Sequence, residues 1–397
     1  MSVDTSVNGD LVRDKRFSNG VYAAAVRELH TLDQFDEHCD HTHDLSGVVV
    51  QGVDLSERSA LLRSLPCVGA AFLGCNLDAD TLESVIEAGA VVFPTLPTLP
   101  FQPYRPTLYE HGELLAGWKP EVDGSFHDDA LDSRIYGWAT QWPKGANVPV
   151  LDSLSQRLHD HAIDDALADH LATRPDVTAV MGGHAMLRTD DAYRTVAELG
   201  RSMAREGWHV ATGGGPGAME AANLGAWLAP FDDSALDRAI ELLSAEVRYD
   251  EVDAYLRAGL TVIEEFPDGA ESLAVPTWFY GHEPTNQFAT HVAKYFANSI
   301  REDGLLAIAT RGVVFAPGAA GTTQEVFQDA TQNHYVVFGV ISPMVFLDSA
   351  FWRRTLPAEP LLRTLAGERP YADLIGVGDS GAEVMTFLRD HPPLRNS

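Results

Sequence analysis

Two glycine-rich stretches hold the residues of this chain best suited to chemistry. Gly213-Gly214-Gly215-Pro216-Gly217 follows an expected strand at 209–212, and Pro317-Gly318-Ala319-Ala320-Gly321 follows another at 312–316. Both lead into helical patterns, at 218–228 and 322–333. Glycine lets a backbone approach a ligand closely, and free N–H groups at a helix start favour an anion together with the helix dipole. A third stretch, Gly182-Gly183-His184, ends the apolar run 177–181. Neither long loop supplies G-x-G-x-x-G with a following acid, or Gly-Lys-Ser/Thr, so a monophosphate fits better than a dinucleotide or a P-loop triphosphate. The competing reading of both loops is tight turns that pack helix on sheet.

Other groups are less specific. On a strand, Cys39, His41 and His43 of His38-Cys39-Asp40-His41-Thr42-His43 would share a face, as metal ligands do. No second ligand pair accompanies them, so the stretch reads as a polar surface turn and no metal is expected. Tyr280-Gly281-His282-Glu283-Pro284 either lines a pocket for a base or forms an ordinary loop. Lysine occurs only at Lys15, Lys119, Lys144 and Lys294. A pyridoxal enzyme needs a Schiff-base lysine; Lys294 sits in the middle of an expected helix, 285–300, and in no motif.

The elements that must hold these loops alternate. Strands are expected at 177–181, 209–212, 312–316, 344–348 and 374–377, separated by helical patterns at 190–206, 218–228, 285–300, 322–333 and 382–389. With glycine loops at strand C-ends, this is an α/β fold, a Rossmann-like doubly wound parallel sheet with its ligand crevice at those ends. Upstream, the stretch from Val48 to Leu55 recurs as Ala70 to Leu77. Each copy reads as strand, glycine turn and helix (61–65, then 82–88), and a further strand follows at 90–93. This is a smaller α/β unit, with too few copies to claim a solenoid. Five prolines in 94–106 exclude helix or central strand there. Residues 107–150 are aromatic without a clear fold, and 151–173 reads as one helix. The expected division is a loose tail at 1–20, an N-terminal α/β domain at 21–150 and the Rossmann-like domain at 151–397.

Composition narrows the classes. The 397 residues are 45% hydrophobic, enough for a sizeable core, and carry a net charge of −29. That charge repels nucleic acid and anionic membrane, but leaves room for a small anion in a pocket of backbone N–H groups. Three cysteines do not make a secreted disulfide framework. There is no apolar leader and no run of about 18 apolar residues, so a cytoplasmic protein is expected.

The two loops also carry a resemblance. Gly213-Gly214-Gly215-Pro216-Gly217-Ala218-Met219-Glu220-Ala221 and Pro317-Gly318-Ala319-Ala320-Gly321-Thr322-Thr323-Gln324-Glu325 look like the paired GGGxxGxM and PGGxGTxxE motifs of the LOG family. These are nucleoside 5′-monophosphate phosphoribohydrolases, long mislabelled lysine decarboxylases. Gly182-Gly183-His184 together with Gly215-Pro216-Gly217-Ala218-Met219-Glu220 is closer still to the bacterial pyrimidine/purine nucleotide 5′-monophosphate nucleosidase branch. The likeness covers residues 176–350. It implies hydrolysis of an N-glycosidic bond to free base and ribose 5-phosphate, without metal or cofactor, in a homodimer or higher homo-oligomer. The alternatives are a non-catalytic nucleotide-binding or sensing protein that uses the same phosphate pocket, and a related glycosyl-transferring or carrier protein that uses it for a different phosphorylated ligand.

The family's Glu matches Glu325, which could equally serve a capping box in Thr322-Thr323-Gln324-Glu325. Its Arg lies fifteen residues before the motif's Pro; Glu302 holds that offset here, and Arg301 stands one residue earlier. Arg301 is therefore a ligand-binding cation or a charge at the C-terminus of the 285–300 helix. Gly182, Gly183, His184, Gly213, Gly214, Gly215, Gly217, Met219, Glu220, Gly318, Gly321, Thr322 and Thr323 are the expected phosphate and nucleotide contacts. Ala319-Ala320 replaces the family's second glycine. An apolar stripe on the 285–300 helix (Phe288, Val292, Tyr295, Phe296, Ile300) is suited to helix pairing.

Overall fold

Short apolar triplets, each followed by a turn, build the first of two compact units. The computed structural model describes residues 27–96, 98–143 and 148–395, so the expected tail at 1–20 lies outside the described residues. The units are Met1–Pro106 and Thr107–Ser397. In the first, β1 (Glu28–Leu29), β2 (Val49–Gln51), β3 (Ala71–Leu73) and β4 (Val91–Phe93) pair parallel, in chain order. The pairs Glu28↔Val49, Val49↔Ala71 and Ala71↔Val91 set one coil per about 21 residues. Gly52 and Gly74 leave their strands at φ +69° and +63°, a region that side chains rarely enter. Their amides donate to Leu73 O and Phe93 O, both at 2.8 Å, and so tie each coil to the next.

The two sequence copies are thus the middle of a four-strand coil. Leu29, Phe35, Val50, Leu55, Phe72 and Val85 fill its core. The proline-rich segment returns across the glycine turns: Tyr104 Oη donates to Pro94 O at 3.1 Å, and Gln51 Nε2 donates to Arg105 O at 3.0 Å. The His38–His43 stretch is not a turn. It ends the helix Leu32–Thr42, which a Thr31–Gln34 capping box starts and His43 closes at φ 51°. The helical period separates Cys39, His41 and His43, and among the described residues no group of side chains is arranged to hold a metal.

The second unit is built on an eight-stranded sheet. Its strands are β5 (Tyr109–Glu110), β6 (Val177–Met181), β7 (His209–Thr212), β8 (Leu273–Ala274), β9 (His291–Val292) and β10 (Gly312–Phe315), then β12 (Met344–Leu347) and β13 (Ile375–Gly378), while β11 (Val340–Ile341) and β14 (Leu394–Arg395) form a separate ribbon. The order is β13-β12-β10-β6-β7-β8-β9-β5. All pairs are parallel except β5 with β9. The chain runs outward from β6 to β9, then crosses back to place β10 on the other side of β6. That reversal opens a crevice beyond the C-ends of β6 and β10, as in other doubly wound sheets. Every residue of β6, β7, β10 and β12 is buried, which is why these strands are largely apolar, with Thr178, His209 and Thr212 as buried polar exceptions.

Two expectations change. Residues 107–150 belong to the second unit: β5 extends its sheet, and Asp132 of the helix Leu131–Thr140 bonds Lys294 and Trp278. The division therefore falls after Pro106 rather than at 150. The expected helix 285–300 does not form either. Residues 285–297 instead pass through a turn at 287–288, the short strand β9 and a bridge from Tyr295 to Thr277, and a helix begins only at Asn298–Ile308. The apolar stripe is not a stripe: Phe288, Val292, Tyr295 and Phe296 are buried in the protein's own core. Among the described residues no helix is long and apolar enough to cross a membrane.

Candidate functional site

The C-ends of β6, β7 and β10 surround a cleft of about 900 Å³. Backbone contacts hold its three loops together. Gly183 N donates to Pro317 O at 3.0 Å, and Ala218 N donates to Gly183 O at 3.2 Å. Gly217 sits at φ +72°, and a Cβ there would lie 2.8 Å from His184 O. A side chain at Gly213 would run into the Arg301 guanidinium and the Met219 sulfur. Packing between the loops therefore requires glycine at both positions.

Gly182, Gly183, His184, Gly213, Gly214 and Met219 line the cleft. So do Gly318, Gly321, Thr322, Arg301 and Glu325. Gly215, Gly217, Glu220 and Thr323 are not among the lining residues. Glu220 turns the other way, into a buried network. It accepts from Arg188 Nη2 at 2.6 Å and Nε at 3.0 Å, and from the hydroxyls of Tyr193 at 2.9 Å and Tyr255 at 2.7 Å. Adjacent residues on one helix turn, Met219 and Glu220, thus serve the cleft and the core respectively.

Arg301 and Glu325, 24 residues apart in sequence, meet across the cleft. Arg301 Nη1 donates to Glu325 Oε1 at 3.2 Å and its Nε donates to Val275 O at 2.8 Å. Arg301 stands in the first turn of Asn298–Ile308, not at a helix C-terminus. A cation there opposes the helix dipole, so the Glu325 carboxylate and the Val275 carbonyl, not the helix, account for its place. Glu302, where the sequence resemblance places a basic residue, accepts from Tyr280 Oη at 3.0 Å and Gln324 Nε2 at 2.7 Å. Burial pushes the Glu325 carboxyl above its ordinary value, with the Arg301 charge and hydrogen bond acting against it.

The capping box does not form. The helix Ala320–Tyr335 begins earlier than expected, after Ala319, with no side-chain cap. Thr323 N donates to Ala319 O at 3.0 Å, the first bond of the helix. The amides of Ala320, Gly321 and Thr322 precede it, and these three residues line the cleft. An uncapped helix start leaves backbone N–H groups that could receive an anion, and Arg301 lines the same cleft.

Tyr280, Gly281, Glu283 and Pro284 also line the cleft. His282 does not: its ring is stacked between Phe126 and Tyr136, at 4.9 and 4.8 Å. Sequence reasoning missed Asp132, Trp278 and Thr285, and gave Lys294 no role. Lys294 Nζ, Trp278 Nε1 and Thr285 Oγ1 all donate to the Asp132 carboxylate. Burial would raise Asp132, but the Lys294 charge and the bond from His282 outweigh it and hold the carboxyl well below the ordinary range. The only available signal was the rarity of lysine.

Residues 176–229 match the model of the SLOG cluster4 family. No curated protein matches the chain. Among solved structures, the molybdenum cofactor binding protein of the phototrophic bacterium Rippkaea orientalis is 15% identical over 55% of this chain and 97% of that one, with a TM-score of 0.35. The Moco carrier protein of Chlamydomonas reinhardtii is 17% identical over the same shares, with a TM-score of 0.33.

Proposed function

We propose that the cleft binds a nucleoside 5′-monophosphate and hydrolyses its N-glycosidic bond. The observation that carries this reading is the Arg301–Glu325 pair at 3.2 Å, beside the uncapped start of Ala320–Tyr335. The amides of 320–322 receive the 5′-phosphate, helped by the helix dipole. Arg301 holds the phosphate or the ribose hydroxyls. Glu325, raised by burial, takes a proton from water as it attacks C1′, and its negative charge favours the oxocarbenium character that develops on ribose.

The test is incubation with AMP, GMP, CMP and UMP, with free base and ribose 5-phosphate measured. Release of base from at least one of them is expected. Stabilisation by a monophosphate with no base released would assign the same cleft to nucleotide sensing. Stabilisation by NAD alone would remove the monophosphate reading.

A further inference from the structure

A second charged pair stands at the wall of the cleft. Lys294 Nζ donates to both oxygens of Asp132, at 2.7 and 2.9 Å. Asp132 also accepts from Trp278 Nε1 at 2.8 Å and Thr285 Oγ1 at 3.1 Å, with His282 Nε2 at 3.5 Å. Asp132 is fully buried and Lys294 nearly so, yet Lys294 and Thr285 line the same cleft as Arg301 and Glu325. The third ammonium proton has no hydrogen-bond acceptor among the described residues; the Trp278 ring lies 5.2 Å from Nζ.

A buried ion pair is a poor source of stability, since apolar residues of the same volume usually do as well. What this one achieves is a lysine fixed in position, with one N–H unspent at the cavity wall. Asp132 is itself fixed from several sides, so the lysine cannot swing away.

We propose that Lys294 meets the leaving base: its unspent N–H donates to an acceptor on the base, a purine ring nitrogen or a pyrimidine carbonyl oxygen, with Asp132 as its positioning residue. This rests on the hydrolytic reading above. In that reaction the C1′–N bond breaks and its electron pair stays on the base. The water oxygen bonds to C1′, one water proton passes to Glu325 and then to solvent, and the departing base takes up one proton from solvent, Lys294 keeping its own. Charge grows on the base only as the bond breaks, so a charged donor binds the transition state more tightly than the substrate.

The test compares two leaving groups. One substrate is the best of the four monophosphates; the other is 4-nitrophenyl riboside 5-phosphate, whose nitrophenolate departs without a donor. Lys294→Met alone strands a buried carboxylate, so the variant is the double Asp132→Asn, Lys294→Met. It is expected to lose about 10²–10³ in kcat on the monophosphate, and to shift the ratio of the two rates by about as much. Glu325→Gln should lower both rates and leave the ratio near that of wild type. An unshifted ratio in a double variant with a cooperative melting curve overturns the role of Lys294. If the double variant does not fold, Lys294→Arg keeps a partner for Asp132 but moves the donors, and the same ratio decides. Wild-type protein that releases no base from any monophosphate overturns the hydrolytic reading instead, and the role with it.

Discussion

At the residue scale, the decisive contact is the one between Arg301 and Glu325. Both are about nine-tenths buried as side chains, so each variant reports on chemistry and on stability. Glu325→Gln removes the charge but keeps the shape, and base release should fall about 10²–10³-fold. Its melting temperature should fall as well, because Arg301 is left without its counter-charge. Base release at the wild-type rate would remove Glu325 from the reaction. Arg301→Lys tests the clamp. One ammonium cannot reach Val275 O and Glu325 as the planar guanidinium does, so kcat/KM should drop by about tenfold or more at an unchanged fold. Glu325 and Arg301 were legible in the sequence only through motif spacing. The Asp132–Lys294 contact was not legible at all, since 162 residues separate the partners and no local pattern marks either one.

At the element scale, strands and loops differ in how openly they declare themselves. β6 and β7 coincide with the expected ranges because each is a short strand stopped at once by glycine. The segment 285–296 has no such stop, and nearly all of it is buried. A segment buried on all sides has no face for periodicity to report. Gly217 joins the element that follows β7 to the loop that follows β6. Gly217→Ala adds a Cβ at positive φ against two carbonyl oxygens, so a loss of about 1–2 kcal/mol or more is expected, read as a lower melting temperature together with weaker monophosphate binding.

Helix Val150–Leu171, β7 and β9 bring His170, His209 and His291 together, with Arg174 and Glu271 beside them. Burial first, then neighbouring positive charge, pulls His170 down to about 3 and His209 to about 4, and His291 is also lowered. The unfolded chain therefore binds protons near pH 6.5 that the folded one refuses. This contribution to stability is complete above about pH 6.5 and is lost as the pH falls toward 4. The melting temperature should drop steadily between pH 7 and pH 5, and His209→Gln should flatten that slope.

For the whole molecule, the net charge of −29 sets a condition on any anionic ligand. The approach of a phosphate is opposed at long range, while the helix start and Arg301 attract it only nearby. Salt screens the long-range part more than the short-range part. KM for the monophosphate should therefore fall a few-fold as NaCl rises from about 0.01 to about 0.15 M. A KM that rises over this range would show that the attraction of the cleft dominates the approach.

The coil of the first unit has a consequence of another kind. A barrel must close, so its strand number is fixed by geometry. The β1–β4 stack closes on nothing: each strand pairs only with the strands on either side, and Gly52 and Gly74 repeat one joint. Its length is thus a free variable, changeable in whole steps. A duplicate of residues 67–88 inserted after Ala88 should add one rung to the stack, as nearest-neighbour arrays allow, at the expense of the return contact from Gln51 to Arg105 O, which would have to span one coil more. Half a step would throw every later side chain out of register with the core.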